Sequence, residues 1–260
     1  MDRVKSLMSV DILIYQDYVH NSGILYRALC HYYGRERVGF CDAEDIMGGI
    51  LGPAIHLFVM PGGADLYYCE KLNGAGNRRI RDYVEKGGNY LGICAGAYYA
   101  CREIEWGKNT DQEIIGAREL NFIDCLAKGP IRDFIKDGDI NQSWNSAVTI
   151  SVTDASEPVQ IITAYSGGPV FTEIRDDTKI IASFSDLPEP NASVLEKIIG
   201  RGKVLLSSTH PENNQTDFAK TLYKNNNPFY EHDKKALQAL SAESSNFLPF
   251  LLKRFNVPAA

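Results

Sequence analysis

Apolar residues in this chain gather in short runs, and between the runs they recur every three or four positions; that alternation predicts the elements. Val10–Tyr15 (VDILIY) is a compact run suited to a buried parallel strand. After a polar loop over Gln16–Ser22, Gly23–Tyr33 sets Ile24, Leu25, Ala28, Leu29 and Tyr32 at helical spacing, with Gly34 as the stop. Val38–Cys41 predicts a second strand and Ala43–Ile50 a short helix or turn. Ile55–Met60 (IHLFVM) predicts a third strand, ending in Pro61-Gly62-Gly63-Ala64-Asp65. A helix over roughly Gly76–Lys86 turns Ile80, Tyr83 and Val84 inward and Arg78, Arg79 and Arg81 outward, and Gly87-Gly88 ends it. Tyr90–Ile93 is the next strand and Ala97–Glu105 the next helix. This β-α-β rhythm with short connections predicts a parallel sheet with right-handed crossovers.

From Gly107 to Asp139 the apolar residues lose a clean period, which predicts irregular structure. Ser146–Thr153 and Val159–Tyr165 alternate or run apolar like antiparallel strands. Lys179–Phe184 and Lys203–Ser208 are two further strands, and Asp186–Ser193 is a proline-bearing loop. A helix over Asp233–Leu240, a polar break at Ser241–Asn246 and a closing apolar helix over Phe247–Phe255 complete the pattern. No repeat, low-complexity tract or linker divides the sequence, so residues 1–260 are read as one α/β domain.

Composition narrows the classes. Hydrophobic residues make up 44% and charged residues 23%, ordinary for a soluble globular chain. A net charge of −6 without any Lys/Arg run argues against a nucleic-acid partner. No apolar run approaches the ~20 residues that cross a bilayer, and MDRVKSLMSVDILIY lacks a signal-peptide core, so a cytoplasmic, membrane-free protein is expected. The six cysteines, Cys30, Cys41, Cys69, Cys94, Cys101 and Cys125, form no C-x-x-C pair, which argues against a zinc site or disulfide scaffold. No metal and no cofactor are expected.

The chemistry centres on Gly92-Ile93-Cys94-Ala95-Gly96, between a strand and a helix. A Gly-x-nucleophile-x-Gly sequence there is a nucleophile elbow: the tight turn strains the nucleophile's backbone, so small residues must flank it. The nucleophile would be the Cys94 thiol, favoured as thiolate by a helix N-terminus; the bland alternative is a buried cysteine in an ordinary βα turn. Cys101 would fall on the same side of the predicted helix, as a resolving thiol or as core packing.

Thr209-His210-Pro211-Glu212 directly follows the strand Lys203–Ser208. Groups just past the C-terminal strand ends of a parallel sheet collect at one rim, where the elbow also lies. His210 can serve as the thiol's base and Glu212 as the group that orients the imidazole; otherwise His210 is a loop histidine. His20, His31, His56 and His232 lack this placement. Backbone N–H groups of Gly62 or Gly63, with that of Ala95, would make an oxyanion hole, although Pro-Gly-Gly is also a common turn.

Strand-PGG, then GICAG, then HPE, in that order, resembles the class I glutamine amidotransferase-like superfamily. Within it the chain is similar to the biotin-protein ligase N-terminal domain family, through Met60–Asp65, Gly92–Tyr98, Gly116–Leu120, Tyr165–Phe171 and Ser208–Glu212. The resemblance implies a flavodoxin-like three-layer sandwich with a mostly parallel central sheet. It also implies a Cys94–His210–Glu212 triad and a Gly167-Gly168-Pro169 loop at the site, which could equally be a plain hairpin turn. Gly167, Gly168 and Tyr98 are the candidate substrate-binding residues; Tyr67, Tyr68 and Tyr99 could join them or sit in the core. Arg118 and Glu119 are read as an ion pair or loop anchor. The full ligase has a catalytic domain downstream, and none is read before Ala260.

The function expected first is a cysteine-nucleophile hydrolase or amidotransferase acting on an amide, with glutamine as the family-level substrate. Its partners would be a small-molecule amide or acyl substrate and a separate synthase or ligase subunit. The alternatives are a non-catalytic regulatory or ligand-binding domain on the same scaffold, or a redox-type elbow cysteine.

Overall fold

Five strands pair side by side and all in parallel, and they carry the rest of the molecule. The structure, a computed structural model, describes residues 10–17, 22–153, 158–175, 177–214, 216, 227–240 and 246–259. Strands β1 (Ile12–Tyr15), β2 (Val38–Cys41), β3 (Leu57–Met60) and β4 (Asn89–Ile93) come from the first half of the chain, and β13 (Gly202–Ser207) from the second. They lie in the order β2-β1-β3-β4-β13. β1, β3 and β4 are apolar nearly end to end because both faces are covered.

Helices α2 (Ala43–Met47), α3 (Asp65–Leu72), α4 (Ala75–Glu85) and α5 (Ala95–Tyr99) cover one face, packing Ile46, Tyr68, Ile80 and Tyr99 against Phe58, Met60 and Tyr90. Helices α1 (Ser22–Tyr33) and α7 (Phe247–Lys253) cover the other, packing Leu25, Leu29, Phe247 and Leu251 against Ile12, Val59 and Leu91. The result is a three-layer α/β sandwich around a parallel sheet, as the sequence predicts.

Beyond β13 the sheet continues through β12 (Ala192–Ile199), β10 (Val170–Thr172), β7 (Ile123–Gly129), β5 (Cys101–Trp106) and β6 (Ile114–Ala117), in antiparallel pairs except for β5 with β7. A branch from β12 runs through β11 (Lys179–Phe184) to β8 (Asn145–Val152) and β9 (Val159–Ser166), and α6 (Tyr230–Ala239) packs Leu237 and Leu240 against Ala147 and Ala164.

Four predictions need correction. The helix expected over Ala97–Glu105 stops at Tyr99; Ala100 caps it, and Cys101–Trp106 becomes β5. Cys101 and Ile104, three apart, suit a helical stripe as well as a strand, and pairing to β6 and β7 decides the matter. Cys101 therefore shares no helix side with Cys94: its Sγ lies 3.3 Å from Sγ of Cys125, deep in the core. The stretch read as irregular holds β6 and β7. The strand β12 begins inside and runs on from the predicted loop. Finally, α3 was not expected after Pro61–Asp65, although Asp65, Tyr68 and Leu72 make its buried stripe. His20 and most of the polar break lie outside the described residues.

Candidate active site

The parallel pairing of β4 with β13 sets Ile93 opposite Ser207. The residues that follow each strand, Cys94 and Ser208-Thr209-His210, therefore leave the sheet side by side. Cys94 has φ 50° and ψ −105°, a left-handed conformation that costs a non-glycine residue roughly 1–3 kcal/mol. Its surroundings hold it there. The Cys94 N–H donates to the Ser207 carbonyl at 2.9 Å, and the Gly96 N–H donates to Pro61 at 3.1 Å. A side chain at Gly96 is impossible, because its Cβ would stand 2.1 Å from the Met60 carbonyl oxygen. The elbow geometry expected from Gly92–Gly96 is thus present.

His210 is buried, and its backbone N–H donates to Ala164 at 2.8 Å, tying the loop to β9. Its Nδ1 lies 2.8 Å from Oε1 of Glu212, and both side chains are almost wholly enclosed. The ring and the Cys94 side chain both pack against Gly62. With Nδ1–H donated to the carboxylate, Nε2 is left for the thiol. Burial opposes a charged imidazole, but the charges of Glu212 and Cys94, with the hydrogen bond to Glu212, outweigh it and hold the His210 pKa well above its ordinary value. Among the described residues Oε2 of Glu212, which is buried, has no hydrogen-bond partner. The structure therefore gathers Cys94, His210 and Glu212 at one place on the rim.

Gly62 lies against both Cys94 and His210. The Tyr68 hydroxyl donates to the carbonyls of Pro61, at 3.0 Å, and Gly62, at 3.3 Å. In a trans peptide that turns the Gly63 N–H the opposite way. Neither the Gly62 nor the Gly63 N–H has a backbone acceptor among the described residues. Ala95, the first residue of α5, has an N–H without an intrahelical acceptor. Gly63 and Ala95 border, with Cys94, a cavity of about 210 Å³.

Tyr98 and Gly167 line that cavity too, and the Tyr98 hydroxyl donates to the Gly167 carbonyl at 3.1 Å. Gly168 sits behind it, where a Cβ would stand 1.8 Å from the Ser208 carbonyl oxygen; it seats the loop and does not face the cavity. The Ser166 carbonyl accepts from Sγ of Cys94 at 3.5 Å. Tyr68 and Tyr99 belong to the core, and Tyr67 is exposed. His31 is on α1, while His56 pairs with Asp11 and His232 with the Asn145 carbonyl.

Sequence reading missed much of the cavity wall: Leu66, Ile104, Trp106, Ile114 and Trp144, with Asp65. The available signal was the tryptophan count, two in the whole chain. Arg118 forms an ion pair, as read, and its partner is Asp65, with Nε 2.5 Å from Oδ2 in a nearly enclosed setting. Glu119 anchors a loop by accepting from the Gly74 N–H at 2.7 Å and Asn77 Nδ2 at 2.9 Å. A larger cleft of about 480 Å³, lined by residues including His56, Arg79 and Arg201, does not include Cys94 among its walls. Among the described residues no cluster of His, Cys, Asp or Glu is placed to hold a metal ion, and no helix is long and apolar enough to cross a membrane.

Residues 51–260 match the family described as biotin-protein ligase, N terminal, and the chain belongs to that family. A Chlamydia muridarum protein described as uncharacterized is 35% identical over 158 residues, which is 60% of each chain. The biotin–protein ligase of Schizosaccharomyces pombe is 32% identical over 178 residues, 66% of this chain and 28% of the ligase. This chain thus matches well under two thirds of either relative's length. Among solved structures, a cytoplasmic protein of Salmonella typhimurium LT2 shares the fold, with a TM-score of 0.51 at 13% identity over 94% of this chain and 98% of that one.

Proposed function

We propose that this member of the biotin-protein ligase N-terminal family is a cysteine-nucleophile hydrolase or amidotransferase acting on an amide or related acyl group. The observation that carries the reading is the placing of Cys94 and the bonded His210–Glu212 pair together against Gly62, beside a cavity that Cys94 lines. Thiolate attack forms a C–S bond, and the oxyanion that develops is held by N–H groups of Gly62 or Gly63 and of Ala95. His210, held by Glu212, then gives its proton to the departing amine. Water or a second amine attacks the thioester, returns a proton to His210 and releases the thiolate. If the reaction is an amidotransfer, the released ammonia passes to a separate synthase or ligase subunit; if it is simple hydrolysis, the chain works alone as a hydrolase.

The reading is tested by the rate of Cys94 alkylation at pH 7 in the parent and in His210→Ala, followed by amide hydrolysis with Cys94→Ser as the control. Fast alkylation that collapses in His210→Ala supports it. Slow alkylation, indifferent to His210, sinks it. The second reading, a ligand-binding domain without catalysis, then stands; it is favoured by the low exposure of the thiol, 7% for the whole residue.

A further inference from the structure

The walls of the cavity beside Cys94 are of one kind. Leu66, Tyr98, Ile104, Trp106, Ile114 and Trp144 supply its bulky side chains. The rings of Trp106 and Trp144 meet edge to face with centroids 5.0 Å apart, and Tyr98 meets Trp106 in the same way at 5.8 Å. Gly167 packs closely on both indoles: a Cβ there would stand 3.1 Å from Trp144 and 3.2 Å from Trp106, so that a ring would have to give way. The one acidic side chain in the wall, Asp65, is already bound to Arg118. Among the described residues no Lys, Arg or His lines the cavity. Nothing in the wall would therefore neutralise the α-carboxylate of an amino-acid substrate such as glutamine, and Asp65, already paired with Arg118, is not free to take its α-ammonium. Burying an unpaired carboxylate is strongly unfavourable. The volume, about 210 Å³, is below the ~300–1,000 Å³ that drug-sized ligands fill, so it accepts one ring.

Building on the reading of Cys94 as a nucleophile, we infer that the site takes an amide or ester whose acyl group ends in a single flat, uncharged apolar ring, and that it discriminates against glutamine. Attack by the thiolate joins sulfur to the acyl carbon, and the C–N or C–O bond breaks as His210 protonates the leaving group. Water then adds to the thioester and gives a proton to His210, and the C–S bond breaks to release the acid and restore the thiolate. No oxidant or cofactor enters.

The test uses the full chain and three electrophiles that label Cys94: iodoacetamide, a chloromethyl ketone bearing a phenyl ring, and the chloroketone analogue of glutamine. Each rate is divided by that with glutathione. The expected result is a preference for the phenyl ketone over the glutamine analogue on the order of tenfold or more. That preference should shrink severalfold in Trp144→Ala and in Leu66→Ser; Leu66 is 47% exposed, so its change leaves the core packing in place should Trp144→Ala fail to fold. Equal rates, or a preference for the glutamine analogue, with iodoacetamide still labelling Cys94 faster than glutathione, overturn the inference and leave the nucleophile intact. Slow labelling by all three removes both.

Discussion

Gly62 leaves no room for a methyl group against His210: a Cβ there would stand 2.7 Å from Cε1 of the imidazole and 3.5 Å from Cβ of Cys94. The contact makes the loop after β3 the third wall of the site, alongside the ends of β4 and β13. Gly62→Ala is expected to displace the ring and cost about 1–3 kcal/mol of stability. If His210 acts on the thiol as proposed, Cys94 alkylation at pH 7 should slow on the order of 10²-fold, because the imidazole is displaced. Urea unfolding and timed alkylation check the two effects; an unchanged alkylation rate would mean that the loop does not confine His210.

The buried pair of His210 and Glu212 predicts a particular dependence on pH. A histidine whose folded pKa exceeds the unfolded value near ~6.5 stabilises the protein fully below that pH. The contribution is lost as pH rises through the folded pKa. In Cys94→Ala, where the thiol no longer titrates, the urea midpoint should therefore fall as pH rises above about 6.5, because Glu212 still faces the ring. Adding Glu212→Gln should flatten that fall. A midpoint that climbs with pH in Cys94→Ala would show that burial and not the carboxylate governs the ring.

Asp65 and Arg118 form a nearly enclosed ion pair at the edge of the cavity, with side chains 11% and 5% exposed. Removing one partner strands the other, so Asp65→Ala or Arg118→Ala should each cost about 3–5 kcal/mol, while Asp65→Leu with Arg118→Met together should recover most of the loss. Denaturant midpoints of the two single variants and the double variant decide it; additive losses would mean that the pair does not act as a unit.

Cys101 faces Cys125 across β5 and β7, and its own Sγ–H donates to the Ala97 carbonyl at 3.2 Å. Burial pushes its thiol pKa well up. Cys101→Ala should cost on the order of 1 kcal/mol and leave the alkylation of Cys94 unaltered. After mild peroxide treatment, peptide mapping should find no Cys94–Cys101 disulfide; finding one would restore Cys101 as a resolving thiol.

The first half of the fold was legible because its strands are apolar nearly throughout and its helices carry clean stripes, such as Ile80, Tyr83 and Val84 on α4. The candidate triad was legible for a related reason: Cys94 and His210 each follow an apolar strand directly, and strand ends in a parallel sheet share a rim. What failed was pattern of ambiguous period. Cys101–Trp106 suits a helix or a strand, and only its neighbours β6 and β7 settle which. The cavity wall was invisible for another reason. Trp106 ends β5 and Trp144 precedes β8; they meet through the antiparallel extension, a contact that no local pattern encodes.

The pairing of β4 with β13 also has a consequence in time. The 116 residues from Cys94 to His210 take roughly 6–23 s to synthesise at ~5–20 residues per second. Throughout that interval, and until β13 threads between β4 and β12, the growing chain carries its thiol without the imidazole or the carboxylate. On the ribosome the two halves of the site therefore meet only after every residue between them has been made.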